Sequence, residues 1–523
     1  MHAELILRNG TIHTLDDGNA VVSAIAVAGA RIVALGDDVE SCRGSETVVI
    51  DLEGRAVVPG FIDAHTHWEV TAHIRRVWID ATLETPERVL EILRAEVDRR
   101  SPGEWIVISS GFIQPLPTKE TLDRIAPENP VVIRRTMHTQ MANSLAFALS
   151  GLRPDVPHTM KQSRLHVGED GEFTGFVEDS FDQFAVTEPS DDELEEALQS
   201  VAAELFLANG ITTIHDMPAS PRGTRVVQRM HRAGSLPVRV RLYPILPPIH
   251  SSGPDLEYYI GTAIESGFGD DDLRFGGVKL FVDGHENGAA QCSRMSDETP
   301  REDQPLLGRT FEELVMTIVD ALKAGLQLRM HAWGDFAQRQ VVDAMRSAVR
   351  STGATDHRMR VEHMLNTGYP SVPLAEIRDA GLVPVPQAAF MFNDDPAEGV
   401  TKYPFRDALA EGLVFANSSD CTGSQPTLVS PWVGIGAMLT RVNRDGVVMD
   451  PDQSVSLTDA LRSYTRGSAY AGFEERDKGS LEVGKLADMV VLATDPYGMA
   501  AAELSTMRTD MTIVGGEIRY RRS

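Results

Sequence analysis

An α/β fold, a closed (β/α)8 barrel with a sheet-rich module and an inserted subdomain, is predicted by three features of the 523-residue sequence. Eight short apolar runs alternate with helical patterns through the middle of the chain, the signature of parallel β-α units. Both ends are rich in β-forming residues. The first two apolar runs are separated by a stretch, about 75–200, far too long for one helix.

In chain order, residues 4–58 hold three β-rich runs, ELILRNGTIHTL, AIAVAGARIVALG and TVVIDLEGRAVV, divided by turn-forming Gly, Asp and Asn. The same texture returns in KLADMVVLATDP and DMTIVGGEIRYR. Residues 1–58 and 478–523 are therefore expected to pair into one module, covering strand edges that neither end covers alone. The barrel is expected over 59–477. Its strands are AVVPGFIDAH, GITTIHD, PVRVRLYPIL, RFGGVKLFVDG, GLQLRMH, RMRVEHM, GLVPVPQ and GLVFANSSD. Helical patterns such as DELEEALQSVAAELFLANG and TFEELVMTIVDALKAG connect them. The insertion at about 75–200 contains a strand, turn and helix in VVIRRTMHTQMANSLAFALSGL and a hairpin in GEDGEFTGFVEDSF, and two readings stand for it, a roof over the barrel mouth or a purely structural embellishment.

A formal charge of −27, from 76 acidic against 49 basic residues, argues against nucleic acid or an anionic membrane as partner. Three scattered cysteines, Cys42, Cys292 and Cys421, make neither a disulfide framework nor a Cys-rich zinc site. With no signal-peptide pattern and no bilayer-length apolar run, the expectation is a cytoplasmic protein with a small-molecule substrate. The sequence allows a homo-oligomer without specifying its interface.

Barrel enzymes assemble their sites at the carboxyl ends of the strands. His65 and His67, two apart, point to one side of an extended strand end, as two ligands of one metal must. His331, His363 and Asp420 each end a different later run. Imidazole with carboxylate suits zinc, and equally iron, manganese, cobalt or nickel. An isolated His-x-His pair is usually a hydrogen-bonded structural feature. Five such residues at four strand ends are harder to explain that way.

Lys279 lies inside the apolar run VKLFV, where an unpaired ammonium is costly. Two readings stand at this point. A buried amine of lowered pKa reacts with carbon dioxide to give a carbamate able to bridge two metal ions, or the lysine pairs with an acid such as Asp283 or Glu178.

Together VVPGFIDAHTHW, GGVKLFVDG, MHAWGD, VEHM and NSSD, in that order, resemble the amidohydrolase superfamily across nearly the whole chain. More narrowly, GITTIHDM, HTQMANSLAFALSGL and KGSLEVGKLADMVVL resemble its amidohydrolase-3, or YtcJ-like, branch, which includes N-substituted formamide deformylases. The resemblance implies that the two termini form a composite β-sandwich. It implies one or two divalent ions, zinc first among them, with His65 and His67 on the more buried ion and His331 and His363 on the other. Lys279 becomes a bridging N6-carboxylysine, and Asp420 both touches metal and serves as general base. His138 matches a histidine of the family's inserted segment and is expected to hold substrate or orient the intermediate.

The loop after the lysine departs from the branch pattern, and its Asp283 and His285 are expected to meet substrate, as are Trp68 and Gln387 beside the strand ends. The implied activity is hydrolysis of the C–N bond of a small amide, formamide, carbamate or cyclic amide. Hydrolytic deamination of an amino-substituted heterocycle is the alternative. It is disfavoured because His331 is followed by Ala-Trp-Gly-Asp, which leaves the acid one residue off the deaminase HxxE spacing. A non-catalytic binding homologue is disfavoured by the complete ligand set.

Overall fold

The computed structural model describes residues 2–111, 115–135, 137–156, 164–179, 182–247, 253–284, 289–291, 307–366, 372–396, 400–422 and 425–523. Its strands fall into four sheets. The largest draws on both ends of the chain, because Ala56–Pro59 pairs antiparallel with Met489–Leu492, Met489 opposite Pro59 and Leu492 opposite Ala56. Leu5–His13, Val21–Ala28, Arg31–Leu35 and Val48–Asp51 extend it on one side, Thr509–Val514 and Glu517–Arg521 on the other. Leu7, Ile25, Val57, Met489 and Ile513 fill its apolar side.

Two four-stranded parallel sheets carry the centre of the molecule. One orders Leu273–Phe275, Arg239–Leu242, Ile211–Asp216 and Phe61–Thr66. The other orders Val278–Phe281, Leu328–His331, Arg360–Glu362 and Val383–Val385. Alternation along these strands sorts the side chains. Val278, Leu280, Leu328, Met330 and Val361 join the large apolar cluster together with helix residues such as Leu314, Ile318, Val341 and Met345. Lys279, Arg329, His331, Arg360 and Glu362 occupy the alternate positions and are just as buried.

The run RFGGVKLFVDG, expected as one strand, is two, divided at Gly276-Gly277. Gly277 has φ +143°, and a Cβ there would meet Gln327 O at 2.1 Å, so the chain must kink where only glycine fits. Backbone bonds nevertheless cross the kink. Gly276 N donates to Leu242 O (2.8 Å), Lys279 N to Pro244 O (2.9 Å) and Leu246 N to Lys279 O (2.7 Å).

The run GLVFANSSD, expected as the eighth strand, is an extended segment without regular strand assignment. Its side chains and neighbours take up the ladder partners. Ser419 N–H goes to the Asp63 carboxylate, Asn417 Oδ1 accepts Ala388 N–H, and Asp420 turns left-handed at φ +52°. It still bonds on both flanks, through Ala416 N to Pro384 O and Ser418 N to Pro386 O on one and Asp420 N to His65 O on the other.

Between the first two parallel strands lies a six-stranded sheet ordered Arg164–Val167, Phe173–Glu178, Thr139–Ala142, Val131–Arg134, Ile106–Ser109, Ile79–Asp80. It has its own core of Val89, Leu93, Ile106, Ile108, Leu122 and Ile133. Helix starts follow side-chain chemistry. Ser190 with Glu193 and Thr310 with Glu313 form reciprocal capping boxes for Asp191–Val201 and Phe311–Lys323. Among the described residues no helix is long and apolar enough to cross a membrane.

Arg239 ties the large sheet to the parallel one. Its guanidinium grips Asp488 at 2.8 and 3.0 Å with both side chains buried. Burial alone would raise the Asp488 carboxyl, but Arg239 outweighs it and holds the group below its ordinary value. A depressed carboxylate contributes stability above its unfolded pKa, about 4, and loses it as pH falls through the folded value. Asp488→Asn should therefore lower stability at pH 7 and flatten its decline below about pH 4. Urea unfolding of both proteins between pH 3 and 7 measures this, and parallel pH curves would contradict it.

Candidate metal centre

Phe61–Thr66 and the residue after it bring His65 and His67 to one side, with rings 5.4 Å apart. His331 closes its strand, and His363 follows Arg360–Glu362 in a left-handed turn at φ +69°. The His363 ring lies 5.2 Å from that of His65 and 4.6 Å from that of His331. Asp420 sets Oδ1 3.2 Å from His65 Nε2 and 3.5 Å from His67 Nε2. Donor atoms of His65, His363 and Asp420 all lie within 4.8 Å of one another. Lys279 is fully buried, its Nζ 4.7 Å from the Phe281 ring, which in turn packs 4.8 Å from His331.

Burial sets the charge states. It drives His67 down to about 4 against the opposing pull of Asp420, and His363 well below the usual imidazole value, leaving both neutral with lone pairs to donate. It would raise Asp420 too, but His65 and His67 outweigh it and hold the carboxyl well below the usual carboxylate range. The Lys279 amine is brought by burial to about 7, with Glu362 opposing. Among the described residues Lys279 makes no ion pair. Asp283 and Glu178, the acids proposed for it, are engaged elsewhere, Asp283 by backbone N–H groups and Glu178 by His166 at 2.6 Å.

Behind the cluster stands a lattice that the sequence reading did not single out. Glu362, fully buried, accepts from His65 Nδ1 (2.5 Å), Arg329 Nε and Nη2 (3.2 and 3.1 Å) and Arg360 Nε (3.1 Å). The bond to Nδ1 fixes the His65 tautomer and turns Nε2 toward Asp420. Asp63 accepts from the N–H groups of His65 and Ser419, pinning two ligand-bearing segments together. The available signal was the one that marked Lys279. RMRVEHM places three charged residues, Arg358, Arg360 and Glu362, on alternate positions of one run.

The described residues expected to meet substrate have protein partners of their own. Gln387 stands behind His363. It is buried, accepts from His363 Nδ1 (2.8 Å) and is held in turn by Asn366 and Ser418. Trp68 opens a short helix, donates its indole N–H to Leu198 O and packs on Phe206 in the core. Asp283 clamps a loop, accepting from the N–H groups of Trp333, Gly334 and Ala290, each at 2.9 Å. Burial still raises its carboxyl to about 7. His285 lies outside the described residues. His138 does reach the site. It comes from the six-stranded sheet, its ring is 6.1 Å from that of His331, and its Nδ1 donates to Asp179 at 2.8 Å. His138, His331, Trp333, His363, Phe390 and Asp420 help line a cavity of about 60 Å³.

Neutral imidazoles from separate strands and one anionic carboxylate, aimed at one buried point, are a donor set that a divalent cation would satisfy. Parallel strands presenting such a set at their carboxyl ends define a metal-dependent hydrolase. Residues 48–520 match the model of the amidohydrolase family, and the chain belongs to that family. It is 29% identical to N-substituted formamide deformylase of Arthrobacter pascens over 99% of each chain, and 24% identical to YtcJ of Bacillus subtilis (strain 168) over 92% of each. The crystal structure of an uncharacterized metal-dependent hydrolase from Pyrococcus furiosus matches with a TM-score of 0.70 and 25% identity, over 94% of this chain and 99% of that one.

Removing Glu362 would leave two buried guanidinium groups without their carboxylate. Breaking a buried ion pair from one side costs about 3–5 kcal/mol. Glu362→Ala is expected to lose at least that much in chemical denaturation, and a loss under about 1 kcal/mol would show that the arginines find other partners.

Proposed function

We propose that the chain hydrolyses the C–N bond of a small-molecule amide, formamide, carbamate or cyclic amide. The observation that carries this is the convergence of His65, His363 and Asp420 within 4.8 Å, with His67, His331 and Lys279 around them. His65 and His67 would hold one ion, His331 and His363 a second, and Lys279 would bridge them as N6-carboxylysine. The metal is proposed to be zinc, for which imidazole and carboxylate are habitual ligands. A bound divalent ion supplies Lewis acidity, lowering the pKa of water toward ~7 and polarising a carbonyl.

The remaining chemistry belongs to the chain's own groups. Lys279, buried and brought to about 7, offers an amine nitrogen whose attack on carbon dioxide forms an N–C bond and releases one proton. Asp420, held anionic, accepts a proton from water at a carboxylate oxygen and passes it to the leaving nitrogen. The ring of His138, fixed by Asp179, orients the substrate from the opposite wall. A cavity of about 60 Å³ suits a small acyl group, since one water needs roughly 10–15 Å³ by a comparable measure. That favours formyl or another short acyl portion, in keeping with the formamide deformylase relative.

This reading includes a fold in which the two parallel sheets and the segment ending at Asp420 make one (β/α)8 barrel over 59–477. The backbone bonds across Gly276-Gly277 and on both flanks of 416–420 support it. Residues 1–58 and 478–523 are proposed as a composite β-sandwich, and about 75–200 as the inserted subdomain. A cytoplasmic setting is proposed, in keeping with a chain that has only three scattered cysteines.

Elemental analysis of protein purified without chelator and with bicarbonate should find about two metals per chain, falling sharply in Lys279→Ala. One metal, unchanged by the mutation, would remove the bridge from the account. On a panel of N-formyl and N-acyl amines, Asp420→Asn should lower kcat about 10²–10⁴-fold, the span of general acid-base catalysis. Full activity in that variant would contradict the role given to Asp420.

A further inference from the structure

Beneath the metal centre, the polar interior ends in two atoms that face each other without bonding. Glu474 is fully buried, and among the described residues every cation that holds it loads onto one oxygen. Oε1 takes Arg241 Nε and Nη2 (2.9 and 2.5 Å), Lys478 Nζ (3.1 Å) and Arg274 Nη1 (3.4 Å). Among the described residues Oε2 has no hydrogen-bond partner and is shut off from solvent. His215, also fully buried, meets Arg360 Nη1 at Nδ1 (2.8 Å). A guanidinium offers no acceptor, so Nδ1 must accept and the neutral ring carries its proton on Nε2. That N–H likewise has no acceptor among the described residues.

A buried donor and a buried acceptor are thus left over side by side. Both border Gly472, where a Cβ would sit 3.2 Å from His215 Nε2 and 3.3 Å from Glu474 Oε2. They make no direct hydrogen bond or ion pair, yet both lie close to a single point, the spacing that one bridging water spans. Native interiors seldom leave such groups unsatisfied, because each costs about 1–3 kcal/mol.

We propose that one water molecule is bound between His215 Nε2 and Glu474 Oε2, accepting from the imidazole and donating to the carboxylate. It completes an unbroken hydrogen-bond chain from Glu474 through His215, Arg360 and Glu362 to His65 Nδ1. The later links measure 2.8, 3.1 and 2.5 Å. The segment after helix Arg466–Ala471 thereby becomes a positioning element for His65, and Gly472 is the residue that leaves room for the water. The effect on metal rests on the reading of His65 as a ligand. The water itself does not.

A crystal structure of the full chain at about 1.8 Å or better should show ordered solvent within hydrogen-bond reach of both atoms. Direct contact between His215 and Glu474, or no such solvent, would overturn the proposal. Gly472→Ala puts a methyl into that space and should weaken zinc binding about tenfold in chelator competition, near the lower bound for loss of a partner behind a ligand. Unchanged circular dichroism would exclude global unfolding as the cause. Displaced water with unchanged zinc affinity would overturn the chain's positioning role. Wild-type protein that binds no zinc would instead sink the metal reading, and the crystallographic result would still decide the water.

Discussion

Arg329 and Arg360 stand on adjacent parallel strands, directly paired in register and without solvent exposure, and Glu362 makes that arrangement tolerable. Burial would raise its carboxyl, but the two guanidinium groups outweigh it and hold it well below the usual range. The same carboxylate then fixes the ring of His65, and both arginines also donate to Ala64 O in the His65 strand. Strand order, ligand orientation and local charge are therefore one problem with one solution. Lys279, paired in register with Arg329, is driven toward neutrality chiefly by its burial, with Arg329 and Arg360 adding to the effect and Glu362 opposing it.

The polar half of this arrangement is matched by an equally buried apolar half. Apolar residues on the outer side of the same strands pack under the helices, and their alternation with the charged set keeps the two environments apart. The six-stranded sheet adds a wall to the site. His138 enters from it, held by Asp179 at a backbone position of φ +49°, so the site is completed by a segment with its own core.

Those residues legible in the sequence were those whose type conflicts with their neighbours. Histidines at the ends of apolar runs and a lysine within one are anomalous locally, and the structure brings them together. Glu362 carried the same local mark, but its meaning depended on Arg329 and His65, one 33 and the other 297 residues away. Gln387 and Trp68 were placed by proximity to a strand end. That fixes where a backbone goes but not which way a side chain turns, and both turn inward. The strand RFGGVKLFVDG hid its kink because two glycines read equally well as a flexible turn or as a close approach. Gly277 is the latter, pressed against Gln327 O. The last segment failed to form a regular strand because Asp63 and Asn417 compete for its backbone partners, a contest no periodicity records.

The central claim is that His65, His363 and Asp420 converge on a metal. Anomalous diffraction at the zinc edge, from crystals of protein purified without chelator and soaked in zinc, tests it most directly. The account predicts a peak in direct contact with His65 Nε2, His363 and Asp420. A chain whose side chains keep these positions while no peak lies among them would contradict it.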